Sequence, residues 1–253
     1  MFGKYVITAA MALLMGLTGC SRTVEDVAKW EASENVEKLI GALSDPKMEV
    51  REAALHSLGE LREESAIDDI AACFNDPEDR VVLAAVNTLV NMESRATVTP
   101  LIAALKLDIP DAQTAAAEAL GSLKAPSAVR PLAERLNSDS EEELLVVITA
   151  LGKIGRQAGS RPLRDTLSSA SSTTIRKACI DALISTGGPI AYEALVNTLA
   201  DNDPIIREAA EISLVKIGDP AVPSIIGGLH SDDPGIRRAS VALLSDLDAI
   251  PTE

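Results

Sequence analysis

Alanine and leucine recur along this chain at one spacing, and that spacing predicts most of its architecture. Ala53, Ala84, Ala115, Val146, Ala178, Ala209 and Ala239 form a column with steps of about 31 residues. About ten residues upstream of each stands a second apolar column: Leu43, Phe74, Leu105, Leu136, Leu167, Leu199 and Leu229. A third follows the first by at most five residues: Leu58, Leu89, Leu120, Leu151, Leu183, Leu214 and Leu244. Three apolar columns held through seven units define a tandem repeat, the feature that decides a fold before any local reading does.

Each unit divides into two helices. The first covers segments such as 36–43, 99–105 and 130–136, with apolar residues at i, i+3, i+4 and i+7. Pro100, Pro131, Pro162 and Pro223 sit near its start, where a missing N–H breaks no helical hydrogen bond. Asp45-Pro46, Asp76-Pro77, Asp203-Pro204 and Asp233-Pro234 mark the turn that follows. The second helix covers segments such as 50–61 and 206–217. Gly59, Gly121, Gly155, Gly187 and Gly218 fall at or near its end, where a glycine relieves the left-handed cap. One such pair cannot bury its apolar face alone, so the pairs must stack.

Composition agrees. Of the 253 residues, 47% are apolar but only 2% aromatic, so Ala, Leu, Ile and Val carry the burial and the class is all-α. A sandwich or barrel would draw more on aromatic and β-branched residues. The formal net charge of −15 repels a phosphate backbone, and no basic patch offsets it, so nucleic acid is excluded as an expected partner.

The first twenty residues read differently from the rest. Lys4 provides a positive start, and the apolar run from Val6 to Met15 is too short to span a bilayer but suits a secretory leader. Leu17-Thr18-Gly19-Cys20 then resembles a bacterial lipobox. That resemblance implies cleavage before Cys20, diacylglycerol on its thiol and an acyl chain on its new amine. More than one chain is what a stable anchor requires. Ser21, where an Asp would favour inner-membrane retention, resembles an outer-membrane signal, so the expected location is the cell envelope, facing the periplasm. The expected organisation is a leader at 1–19, the lipidated Cys20 with a tether or capping helix to 32, repeats over 33–250, and a tail at 251–253. Thr23 followed by Asp26 has the form of a helix start in that connecting segment. Cys73 and Cys179, three units apart in the register, read as buried small hydrophobes and not as a bridge.

Units such as Val50-Arg51-Glu52-Ala53-Ala54-Leu55-His56-Ser57-Leu58-Gly59 and Ile206-Arg207-Glu208-Ala209-Ala210 resemble HEAT-like repeats of the phycobilin-lyase type. The resemblance covers about residues 33–250. It implies a right-handed superhelical solenoid of about seven helix pairs, with second helices on the concave side. It is specific for fold and weak for function, because such repeats serve scaffolds, adaptors and a few enzymes.

Two groups of residues are candidates for a role. Arg51, Arg176, Arg207 and Arg237 recur two before the alanine column, and Asp45, Asp201 and Asp232 stand in the preceding turns. A charged pair repeated once per unit reads as a structural ladder, since catalysis needs one site. His56 and His230 lie at opposite ends of the array without ligand-spaced neighbours, so no metal or cofactor is expected. The iron-binding His-Glu pairs of the related deoxyhypusine hydroxylase are absent, because His56 and His230 are each followed by Ser. No catalytic residue is nominated and no small-molecule substrate is expected. The second group is an anomaly. The Arg position becomes Val82 and Leu144, and the next becomes Leu83 and Leu145, while Gln113 and Thr114 occupy the same places in the unit between. Such a mixed strip suits a protein segment if it is exposed, and is ordinary packing if it is not. The expectation is a membrane-anchored scaffold or adaptor holding a protein partner on its concave face. The alternative is an accessory or maturation factor of an enzyme complex, and an enzyme in its own right ranks below both.

Overall fold

The computed structural model describes residues 22–247. The leader, the Leu17–Cys20 motif and the tail at 251–253 lie outside the described residues. Among the described residues there are fifteen α-helices and no strand. A leading helix, α1 (Val24–Ala32), precedes seven pairs. These are α2 (Val36–Ala42) with α3 (Met48–Glu60), α4 (Ile67–Ala72) with α5 (Asp79–Asn91), and α6 (Val98–Ala104) with α7 (Pro110–Ser122). Then follow α8 (Val129–Glu134) with α9 (Glu141–Ile154) and α10 (Ser160–Ser169) with α11 (Thr173–Thr186). The last are α12 (Pro189–Asn197) with α13 (Pro204–Ile217), and α14 (Val222–Gly228) with α15 (Pro234–Asp246). The chain is an all-α solenoid that divides into two compact units, one ending at Thr88 and one beginning at Leu89, with the boundary falling within the residues of α5.

In the first unit, α1 starts at a reciprocal cap. The Thr23 hydroxyl accepts the Asp26 N–H, and the Asp26 carboxylate accepts the Thr23 N–H, which satisfies two otherwise orphaned donors. The helix lies against α2 and α3, buries Val27, and receives a hydrogen bond from Ser57 Oγ on Glu31 Oε2 at 2.6 Å.

The deepest column is not the alanine column but the residue after it. Ala54, Ala85, Ala116, Val147, Cys179, Ala210 and Ser240 are all buried, whereas Ala53, Ala84, Ala115 and Val146 are half-exposed. The third leucine column is fully buried throughout. Cys73 and Cys179 are free, buried thiols. Burial pushes Cys73 up to about 11 and Cys179 up to about 12, so both stay protonated at neutral pH.

The glycines split into two roles. Gly155, Gly187 and Gly218 take positive φ just past their helices, as the pattern predicts. Gly59 and Gly121 do not, because they lie inside α3 and α7. The left-handed position after those helices is filled by Arg62 and Lys124, and after α5 by Glu93. Gly121 serves close approach instead: a Cβ there would stand 2.8 Å from Ala150 Cα on α9. Gly152 on α9 meets Ala182 of α11 in the same way, at 3.1 Å. Thus α7, α9 and α11 touch backbone to backbone through small residues. Gly121→Ala should therefore lower stability by about 1–3 kcal/mol through overpacking, although alanine is the better helix former. A raised melting temperature would show that α7 and α9 can part without cost.

Candidate functional site

The turns carry the polar order of the array. In the first unit, Arg51 is buried and uses every face of its guanidinium. Its Nε and Nη2 donate to the two carboxylate oxygens of Asp76 at 2.7 Å each, and Nη1 donates to the Asp45 carbonyl at 2.9 Å. The rung thus joins the turn of its own pair to the turn of the next. Asp76 was not among the expected ladder residues, although Asp76-Pro77 stands in the same column as Asp45. The carboxylate of Asp45 is turned to the Lys47 N–H instead.

In the second unit the same rule holds at the far end. Arg176 Nη1 donates to both oxygens of Asp201, at 2.7 and 2.9 Å. The Asp201 carbonyl accepts from Arg207 at 2.6 Å. Arg237 donates to the carbonyls of Ser231 and Asp232. Among the described residues no hydrogen bond or ion pair engages the Asp232 carboxylate, and the rung there uses its backbone carbonyl.

Where the Arg column lapses, a different network takes its place. Gln113 donates to the Leu107 carbonyl, six residues back, the same offset that Arg51, Arg207 and Arg237 use. Its carbonyl accepts from Arg135 Nη2 at 2.8 Å, and Arg135 also binds Glu143, which accepts from Ser138. The cation therefore comes from the end of the first helix and the carboxylate from the second, the reverse of the Arg51–Asp76 rung. The sequence signal was available: Arg135 stands in a column otherwise filled by Ala42, Cys73, Ala104, Thr166, Thr198 and Gly228.

The strip expected to meet a partner is placed less uniformly than the pattern implied. Val82 is only 3% exposed and belongs to the core. Gln113 is half-buried and committed to the network above. Leu83 in the first unit, and Thr114, Leu144 and Leu145 in the second, are half-exposed. The nearly uniform apolar run of α9 has a packing cause, since the helix lies against α7, α8 and α11 and buries Val147, Ile148, Leu151 and Ile154. Its polar face narrows to Glu142, Thr149 and Lys153.

Between α7 and α9 run two shallow depressions that share Glu118. One, of ≈ 390 Å³, is lined by Asp111, Gln113, Thr114, Ser140, Glu142 and Glu143 among others. The other, of ≈ 160 Å³, is lined by Leu145, Val146, Thr149 and Lys153 among others. Sequence reasoning missed a further feature of the second unit, the exposed aliphatic side chains Ile205, Ile212 and Val215 on α13 and Val241 on α15. His56 and His230 are both exposed.

Tandem helix pairs, a buried leucine column and Arg-to-turn rungs define a repeat solenoid of the all-α class. The family model for HEAT repeats matches residues 21–90, 76–146 and 140–215, most of the chain, and the protein belongs to that family. Among solved structures, the chain is similar to an engineered protein at 20% identity and a TM-score of 0.51, covering 90% of this chain and 71% of that one. The likeness is one of fold. It is also similar to the complex of CpcE and CpcF of phycocyanin lyase from Nostoc sp. PCC7120, at 21% identity and a TM-score of 0.49, over 91% and 96% of the two chains. Human deoxyhypusine hydroxylase, in complex with glycerol, follows at 20% identity and 0.42, over 88% of each. The comparison with curated proteins returns no match.

Proposed function

We propose that this protein is a lipid-anchored scaffold or adaptor of the bacterial envelope, facing the periplasm, that holds a protein partner on its second-helix face and does not itself catalyse a reaction. The observation that carries the reading is the spacing between anchor and array. Cys20 of the Leu-Thr-Gly-Cys motif lies three residues before Thr23, the cap of α1. Three residues reach at most about 10 Å, so a lipid on Cys20 holds the first pair against the headgroups. Binding, once confined to a surface in this way, gains from high local concentration without new contacts.

Cys20→Ser should abolish lipid attachment. Metabolic labelling with a fatty-acid analogue reads this directly, and undiminished label in the variant would end the anchoring half of the proposal. The partner half rests on the α7–α9 depressions, where Leu145 and Val146 supply apolar contact beside Thr114 and Glu118. Leu145→Glu should reduce capture of a defined protein from detergent-solubilised membranes while leaving the melting temperature unchanged. Equal capture by both chains would overturn it. If the captured protein is a catalytic subunit whose maturation depends on this chain, the role narrows to an accessory factor.

A further inference from the structure

Four of the five large apolar side chains exposed among the described residues lie on two neighbouring helices of the second unit. On α13, Ile205 is 51%, Ile212 60% and Val215 47% exposed, and on α15 Val241 is 58% exposed. Single exposed aliphatics are ordinary, but a line of them on one helix marks a contact surface. Ile212 is also out of place in its column. The other units carry His56, Asn87, Glu118, Thr149, Asp181 and Ala242 there, five polar residues and one small one.

The charges on the same ridge say what covers it. Glu208 lies four residues before Ile212 and Lys216 four after, so the three form one i±4 ridge of the kind that packs against another helix. Both charges are exposed, and neither makes an ion pair among the described residues. An antiparallel copy of α13 centred on this ridge sets Ile212 on Ile212 and each Glu208 on the Lys216 of the other copy. On α15, which lies against α13, the corresponding residue is Ala242, with Arg238 four before and Asp246 four after. The same two-fold rotation therefore sets Arg238 against Asp246. A parallel alignment would set Glu208 on Glu208 and Lys216 on Lys216, like charge on like. On α11 the corresponding residue is Asp181, which would face its own copy, so the contact stops at α13 and α15.

We propose that α13 and α15 form a two-fold self-association surface that takes a second copy of this chain, with Ile212 on the axis. This self-complementarity is what an isologous interface demands: residue i meets j while j meets i. A residue on the axis meets itself.

That geometry dictates the experiment, made on the full-length protein extracted from membranes in mild detergent. Ile212→Cys should form an intermolecular disulfide with itself on mild oxidation, because facing residues of packed helices approach within the Cα separation a bridge needs. Glu208→Cys and Lys216→Cys should each fail alone and cross-link when co-expressed. Cys73 and Cys179, being buried, give little background. By light scattering the wild type should be a dimer. Glu208→Lys or Lys216→Glu should weaken association about tenfold, since each pair occurs twice, and the double swap should restore it. Unchanged thermal melts of these surface variants exclude a folding defect. A monomeric wild type, or a dimer indifferent to Ile212→Glu, overturns the proposal. So does a monomer from which Ile212→Glu removes a different bound protein, which would give the ridge to a heterologous partner.

Discussion

Leu120→Asp should cost several kcal/mol and remove the cooperative unfolding of the array around α7. Leu120 is fully buried, in the column shared with Leu58, Leu151, Leu183 and Leu214. Deleting the leucine side chain alone costs about 2–5 kcal/mol in such a site. The carboxylate adds a second cost, since an ionised group in an apolar interior has no partner and takes up a proton instead. Against a usual total of about 5–15 kcal/mol the loss is decisive. In a repeat array, stability is close to a sum of unit terms and nearest-neighbour interfaces. The lesion should therefore appear as an early transition, or as failure to fold, and not as a uniform shift. Leu120→Met, which preserves volume, should cost less than about 1.5 kcal/mol. Overlaying melts of Leu120→Asp and wild type would mean that the third repeat is out of register.

The pairs were legible because two independent signals coincide in each unit. Apolar residues recur at helical spacing, and Asp-Pro turns or glycines break the helices between them. Depth was less legible. A column tells which face of a helix turns inward, but Ala53 and Ala54 sit side by side, and only the second is fully buried. The same ambiguity placed Val82 on a surface strip when it belongs to the core. Gly59 and Gly121 illustrate a different limit. Both are the last residue but one of their helices, where a cap and a close approach look alike in sequence, and the φ angles of Arg62 and Lys124 separate them. The Arg135 network was harder, because its four side chains, Gln113, Arg135, Ser138 and Glu143, come from four columns that sequence reading treats separately. The α13 ridge was visible as Ile212 in a polar column, yet only exposure distinguishes a contact residue there from core.

Arg51→Ala tests the rungs, and its effect should depend on pH in a way that packing loss alone does not. Both partners are nearly inaccessible, with side-chain exposures of 9% for Arg51 and 7% for Asp76. Removing the cation leaves a buried carboxylate unpaired, which costs about 3–5 kcal/mol, far more than an exposed pair would. In the wild type, burial pushes the Asp76 carboxyl up, but the Arg51 hydrogen bonds, the Glu78 N–H and the Arg51 charge outweigh it and hold it below its ordinary 3.8. A carboxylate so depressed contributes stability that is fully present above the ordinary value and is lost as pH falls through the lowered one. In Arg51→Ala the burial remains while the guanidinium is gone, so Asp76 should protonate more readily than in the wild type. The gap in stability between the two proteins should thus be widest near neutral pH and narrow as pH falls below the ordinary carboxylate value. Urea titrations at several pH values read the gap directly. Adding Asp76→Ala to Arg51→Ala should recover part of the loss, because an apolar pair is less costly than one stranded charge. A gap that stays constant with pH, or a double variant no better than the single, would mean that Arg51 acts through its contacts with the Asp45 turn and that the rung to the next pair is incidental.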